Sequence, residues 1–252
     1  LFAGLVFGQS YEKSSYTEKI FPFGKEASLQ INSKYGQIHM IPWEKDSVKI
    51  QISLKVTANK ENKVDKLFKS VDFNFTNTSY YLIIETVFRN SRNNLWENLS
   101  DMANNLLKAN DNIQIDYTIH FPNKRKVKID HKYGNIYTTD HYGELDITLS
   151  NGDLMAGKLF NDSKIDLSFG KAIIKELYNS RIVSNYGEIN AEKAKDLNIH
   201  SKSSTIDLDE VSKVNINSRR DEIYISKVQR LSGEFSFSKI HTENLIYEAI
   251  IN

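Results

Sequence analysis

Residues 127–245 carry one short pattern seven times, and this recurrence constrains the fold more than any other property of the chain. With Ile136 as the anchor, equivalent positions fall at Leu154, Ala172, Ile189, Ile206, Ile223 and Ile240, in steps of 18, 18, 17, 17, 17 and 17 residues. Seven positions before each anchor stand Ile129, Ile147, Ile165, Ile182, Ile199, Ile216 and Gly233. Two positions earlier the column reads Val127, Leu145, Ser163, Ser180, Leu197, Val214 and Leu231. Five positions after the anchor it reads His141, Leu159, Leu177, Ala194, Val211, Val228 and Leu245. Polar residues fill the gaps, as in Asn198-Ile199-His200 and Asn215-Ile216-Asn217. Alternation of period two marks strands with one buried face. So short a fixed repeat implies stacked coils that share a core only with their neighbours.

The size of the repeat agrees. At about 3.3 Å per residue a copy closes a contour of roughly 57 Å, room for three short sides around an aliphatic interior but not for a helix in each coil. Two residues before the anchor come Gly134, Gly152, Gly170 and Gly187, then Ser204, Asp221 and Ser238. These residue types accept tight or left-handed backbone, so the turn is expected there. The fold class expected is all-β: a single-stranded parallel β-solenoid of about eight 17–18-residue coils. The eighth coil is supplied by Leu29, Ile31, Tyr35-Gly36-Gln37-Ile38, Met40 and Trp43, which fall on the same columns 98 residues upstream.

That displacement requires an insertion between the first two coils. Residues 48–56, 80–88 and 113–121 alternate as strands, the last ending at Pro122. Glu61 to Val71 and Leu95 to Leu107 carry apolar residues at helical spacing. The expected organisation is therefore a leader segment at 1–10, a first coil at 11–44, an α+β insertion of antiparallel strands and two helices at 45–125, and the main solenoid with a C-terminal cap at 126–252. An open last coil would expose strand edges and apolar interior. The tail Asn244–Ile251 is the expected cap, or else an edge through which a homodimer forms.

Composition limits the partners. With 33 basic and 32 acidic residues, interspersed, the chain has no net field to draw nucleic acid or an anionic membrane, and nucleic-acid binding is not expected. Cysteine is absent, which excludes disulfides, thiolate metal sites and cysteine nucleophiles within this sequence. With only three Pro and 11 Gly, Asn and Ser must make most corners. The opening LFAGLVFG reads as the end of a signal-peptide apolar region with a cleavage point near Gly8-Gln9, which implies an exported protein, periplasmic or at the cell surface; an N-terminal strand is the alternative. The run is too short for a transmembrane span.

The elements Lys34-Tyr35-Gly36-Gln37-Ile38 and Lys132-Tyr133-Gly134-Asn135-Ile136, with the junction Ile41-Pro42-Trp43-Glu44-Lys45-Asp46-Ser47-Val48, carry a resemblance. In them the chain resembles the "putative adhesin" β-helix family of exported Bacteroidetes-type proteins, related to head-GIN domains. The resemblance implies a right-handed β-helix, and it supplies no catalytic motif to carry over.

Three sets of residues could do chemistry. Glu188, Asp207 and Glu222 project from three successive coils, with adjacent carboxylates expected on the order of 8 Å apart, a spacing that suits an inverting pair with a water between them. Lys171 and Lys239 share these columns, so a solvated mixed-charge face is the plainer reading. His131 and His141, with His120 nearby, could in principle ligate zinc; both occupy otherwise apolar columns, which favours structural histidines. Tyr133, Phe169 and Tyr186 lie in a column with Tyr35, Asn151, Ser203, Arg220 and Phe237, where rings could stack on sugars or merely on one another. No phosphate-binding loop, nucleophile elbow or metalloprotease signature appears, and no cofactor is expected. The expected function is a non-enzymatic, adhesin-like binding surface for a glycan or protein ligand. The alternatives are a carbohydrate-active enzyme on a β-helix and a periplasmic structural scaffold.

Overall fold

The computed structural model describes residues 10–89 and 112–251. In chain order the elements are β1 (Tyr11–Pro22), β2 (Ser28–Pro42), β3 (Ser47–Ala58), α1 (Glu61–Ser70), β4 (Val71–Asn77), β5 (Tyr81–Phe88), β6 (Asn112–Phe121), β7 (Val127–Thr138), β8 (Leu145–Ser150), β9 (Leu154–Ser168), β10 (Lys171–Asn185), β11 (Glu188–Lys202), β12 (Thr205–Arg219), β13 (Glu222–Ser236) and β14 (Lys239–Ile251). The described residues are all-β, 78% of them in strands, and form a solenoid of about seven turns with one helix.

The stack follows the repeat. Ile38 pairs with Ile136, Ile136 with Leu154, and the parallel register continues through Ala172, Ile189, Ile206 and Ile223 to Ile240. Ile182, Ile199 and Ile216 lie over one another and are fully buried. Each such aliphatic side chain withdrawn from water stabilises the stack by about 1.5–3 kcal/mol. Pairing between β11 and β12 skips Glu192/Asp209 and Lys195/Ser212, which divides each winding into three sides. The third corner lies between successive long strands.

At that corner the glycine expectation is corrected. The left-handed residue is the one before the Gly column: Tyr35, Tyr133, Asn151, Phe169, Tyr186, Ser203, Arg220 and Phe237 all have φ between 51° and 63°. Of the column glycines only Gly36, at φ 110°, lies in that region. Glycine is needed for clearance instead. A Cβ on Gly134, Gly152 or Gly170 would overlap the carbonyl oxygen of the glycine one coil earlier.

Later coils dispense with glycine because the neighbouring interior column changes in step. Leu149 and Leu167, five positions before their anchors, fill the corner interior, and Gly170 and Gly187 follow one coil later. Where that column becomes Ser184, Ser201 and Ser218, the next coil carries Ser204, Asp221 and Ser238. The vacated volume then holds a buried hydrogen-bond ladder. The Ser204 and Ser184 hydroxyls lie 3.0 Å apart, and those of Ser218 and Ser238 lie 2.8 Å apart. Asp221, only 2% exposed, accepts from the Ser201 and Ser218 hydroxyls at 2.7 and 2.6 Å and from the backbone N–H groups of Ser204 and Arg219 at 2.7 and 3.0 Å. Four donors replace the water that this carboxylate loses on burial.

The insertion supplies the winding beneath the first coil in two pieces. The start of β5 pairs in parallel with Ser28–Asn32, and the end of β6 with Ile38–Pro42. The Asp116 carboxylate accepts from the Gln37 N–H at 2.9 Å and closes the corner between them. β3 lies antiparallel to β6 and to β1, so residues 11–22 join this flanking sheet, whereas the expectation assigned them to the first coil. Helix α1 lies as expected, burying Val64 and Leu67. β4 was not anticipated; it pairs antiparallel with β5, and Phe73 meets Tyr117 edge-on at 6.2 Å. The expected helix at Leu95–Leu107 and the leader Leu1–Gly8 lie outside the described residues. The expected cap, Asn244–Ile251, runs within β14 beside β13 in parallel register and does not fold across the stack.

Candidate functional site

The left-handed corner decides how the aromatic column is displayed. A bulky L-residue in this conformation costs roughly 1–2 kcal/mol, which the flanking coil pairing holds in place. Tyr133, Phe169 and Tyr186 occupy such corners and are 48%, 56% and 50% exposed. The rings form two separate stacks. Tyr35 and Tyr133 lie 5.5 Å apart at 14°, and Phe169 and Tyr186 lie 5.2 Å apart at 2°. Their mutual faces are therefore covered. Asn151 interrupts the column between the stacks, so Tyr133 and Phe169 are two strand spacings apart, roughly 9.5 Å, with the Asn151 amide between them. A second interruption follows at Ser203, where the Lys202 ammonium lies 5.8 Å from the Tyr186 ring centre.

Two of the three candidate carboxylates, Glu188 and Glu222, are ion-paired. Glu188 accepts from Lys171 Nζ at 2.7 Å, and this contact holds its carboxyl below the usual glutamate range. Glu222 faces Lys239 Nζ at 3.3 Å. Thr205 lies between Glu188 and Glu222 in the register, placing them two coils apart, while Asp207 pairs with Asn190 and Tyr224 on a parallel column. A carboxylate held ionised beside an ammonium is poorly suited to donate a proton to a leaving group.

The histidines are interior. His131 is fully buried, its Nδ1 2.7 Å from the Ser33 hydroxyl and its Nε2 3.1 Å from the Gly36 carbonyl oxygen, so that Nε2–H donates and Nδ1 accepts. His141, 1% exposed, reaches the Glu144 carbonyl at 3.3 Å and stacks on Phe121 at 5.7 Å. Burial pushes both imidazoles down in pKa and keeps them neutral. His120 lies against Trp43 at 5.5 Å, tilted by 41°, apart from that pair. Among the described residues no group of three metal-ligating side chains comes together.

Two further columns escaped the sequence reading. Four positions after the anchor the chain reads Asp140, Lys158, Glu176, Lys193, Glu210 and Lys227, a charge of alternating sign in successive coils. Lys158 and Glu176 meet at 3.0 Å, and Glu210 lies 3.8 Å from Lys193 and 3.7 Å from Lys227. Six positions after the anchor, Tyr142 and Phe160 stack at 4.5 Å, and Tyr178 lies 5.4 Å from Phe160, tilted by 43°. Both were legible by counting from Ile136, because parallel in-register coils place equal offsets side by side.

No family model matches the chain, and no curated protein sequence matches it. Solved structures do. A Parabacteroides distasonis protein described as a putative lipid binding protein is 11% identical with a TM-score of 0.45, over 94% of this chain and 96% of that one. A putative adhesin from Parabacteroides merdae is 10% identical with a TM-score of 0.42, and one from Bacteroides fragilis is 11% identical with a TM-score of 0.34, both over the same shares. Solved structures that this chain is similar to thus include proteins described as putative adhesins and one described as a putative lipid binding protein.

Proposed function

We propose that this protein is a non-enzymatic, exported β-solenoid that works at the cell surface or in the periplasm as an adhesin-like surface, binding glycans through Tyr133, Phe169 and Tyr186. The observation that carries this reading is the display of half-exposed rings at left-handed corners, where Gly or Asn would be conformationally cheaper. The outer faces of Tyr133 and Phe169 around Asn151 suit the C–H face of one pyranose. Repetition along the stack favours avidity over single-site strength. Among the described residues no helix is long and apolar enough to cross a membrane. A glycan array probed with the wild type and with Tyr133→Ala and Tyr186→Ala tests the proposal. Loss of signal in both folded variants is expected, and unchanged signal would refute it.

Pairing of two copies along β14 belongs to the same reading. Leu245, Ile246, Tyr247, Ile250 and Ile251 are all at least 44% exposed there. Sedimentation equilibrium should show a dimer that Ile246→Lys dissociates; a wild-type monomer at high concentration would remove this part of the proposal.

A further inference from the structure

The side carrying Tyr142, Phe160 and Tyr178 changes character one coil after the last ring. At the same offset the following coils have Lys195, Ser212 and Gln229, and the loss of ring bulk opens a groove of about 310 Å³. Its lining includes Ala194, a buried residue in the column of His141, Leu159, Leu177, Val211 and Val228. Tyr178 closes one end. Its ring lies 5.4 Å from that of Phe160, tilted by 43°, and stands where the groove begins.

The walls are set by the same winding that supplies Ala194. Lys193 and Lys195 flank Ala194 on opposite walls, because side chains either side of an inward-pointing residue both project outward. Two carboxylates also line the groove. Glu176 is neutralised by Lys158 at 3.0 Å. Glu210 is shared by Lys193 and Lys227 at 3.8 and 3.7 Å, beyond direct hydrogen-bond contact. Lys195 Nζ lies 5.9 Å from the Tyr178 ring centre. An ammonium pair incompletely matched by carboxylate, beside an aromatic platform and followed by the neutral donors and acceptors of Ser212 and Gln229, defines a ligand chemistry.

We infer that this groove binds an acidic saccharide residue. The C–H face of the pyranose rests on Tyr178, its carboxylate reaches between Lys193 and Lys195 above Ala194, and Ser212 and Gln229 take hydroxyl groups of the same or the next sugar. Lys195 leaves the ring face to meet the carboxylate, a rotamer change open to an exposed side chain. The site uses none of the residues of the Tyr133–Phe169–Tyr186 corner, and it stands or falls separately from them.

Titration of the full chain with tetragalacturonate, and in parallel with a glucuronate-containing oligosaccharide, followed by calorimetry and amide NMR, tests the inference. Saturable binding of a uronate is expected, with shifts at Lys193, Lys195 and Ser212. Methyl-esterification of the saccharide, or Lys193→Gln with Lys195→Gln, should weaken it by about tenfold or more, the scale of a lost charge-assisted contact. Tyr178→Ala should weaken it too, whereas Tyr133→Ala should leave it unchanged. No saturable binding of either uronate overturns the inference. So does equal affinity for the methyl ester, which would make the charge irrelevant, or for polyglutamate, which would make the sugar ring irrelevant.

Discussion

Replacing Gly170 with Ala places a methyl group against the carbonyl oxygen of Gly152 in the preceding coil, far inside contact distance. Both atoms belong to backbone, so no side chain can turn away, and the two coils must separate at the corner. Overpacking of this kind costs about 1–3 kcal/mol. Separation also stretches the bonds that Lys171 N–H makes to the Asp153 carboxylate and Asn151 N–H makes to Ser168 O, each 2.9 Å, at about 1 kcal/mol apiece. The expected loss is about 3–5 kcal/mol. Gly187→Ala is the matched control, one coil on. Its Cβ would meet the Ser184 hydroxyl at 2.9 Å, Gly170 O at 3.1 Å and the end of Leu167 at 3.1 Å. Two of the three can yield, and restricting the unfolded chain returns about 0.4–1 kcal/mol, so the net effect should lie within about 1 kcal/mol. Urea unfolding followed by circular dichroism, with unchanged m-values, reads the difference as a shift in midpoint. Equal midpoints for the two variants would refute the view that this column is glycine for the sake of coil-to-coil clearance.

The remaining predictions concern the corner and the interior. Asp221→Ala deprives the buried Ser204 N–H and the part-buried Arg219 N–H of their acceptor and should cost about 2–4 kcal/mol in chemical denaturation, with Asp221→Asn costing less because one acceptor oxygen remains. Ser203→Asn and Arg220→Asn place a residue tolerant of the left-handed region at φ 51° and 61°, and should raise the thermal midpoint, by up to about 1 kcal/mol of stability each. His131 and His141 have folded pKa values below that of the unfolded chain, so the unfolded state binds more protons as pH falls. Their contribution is intact above the unfolded value of about 6.5 and is lost as pH drops from there toward the folded values. His141→Leu should accordingly flatten the decline in stability between about pH 7 and pH 5, as measured by urea midpoints across that interval.

The candidate sites were legible in unequal degree. The carboxylates and the aromatic corner appear in the sequence as columns, but their pairings do not. Nothing in Glu188 alone says that Lys171 seventeen residues earlier donates to it at 2.7 Å. The interruption at Asn151 is visible in the column, but the face-to-face stacking of Tyr35 on Tyr133 and of Phe169 on Tyr186 is not. The groove was missed because the residues that line it are spread over 54 positions, Glu176 to Gln229, and come together only when four windings lie in register.

The winding itself follows from sequence alone. Positions that face a shared interior must stay aliphatic from coil to coil, and a period of 17 or 18 residues admits strands around a core but no helix. Tertiary structure decided what a linear pattern cannot encode. It put the left-handed backbone on Tyr133 and its equivalents, one residue before the glycines, because clearance between stacked coils, not torsional freedom, sets where Cβ is forbidden. It also exchanged Leu167 and Gly187 for Ser201 and Asp221 at equivalent places, because the corner holds a fixed volume that a large residue from one coil or a polar pair from two can fill.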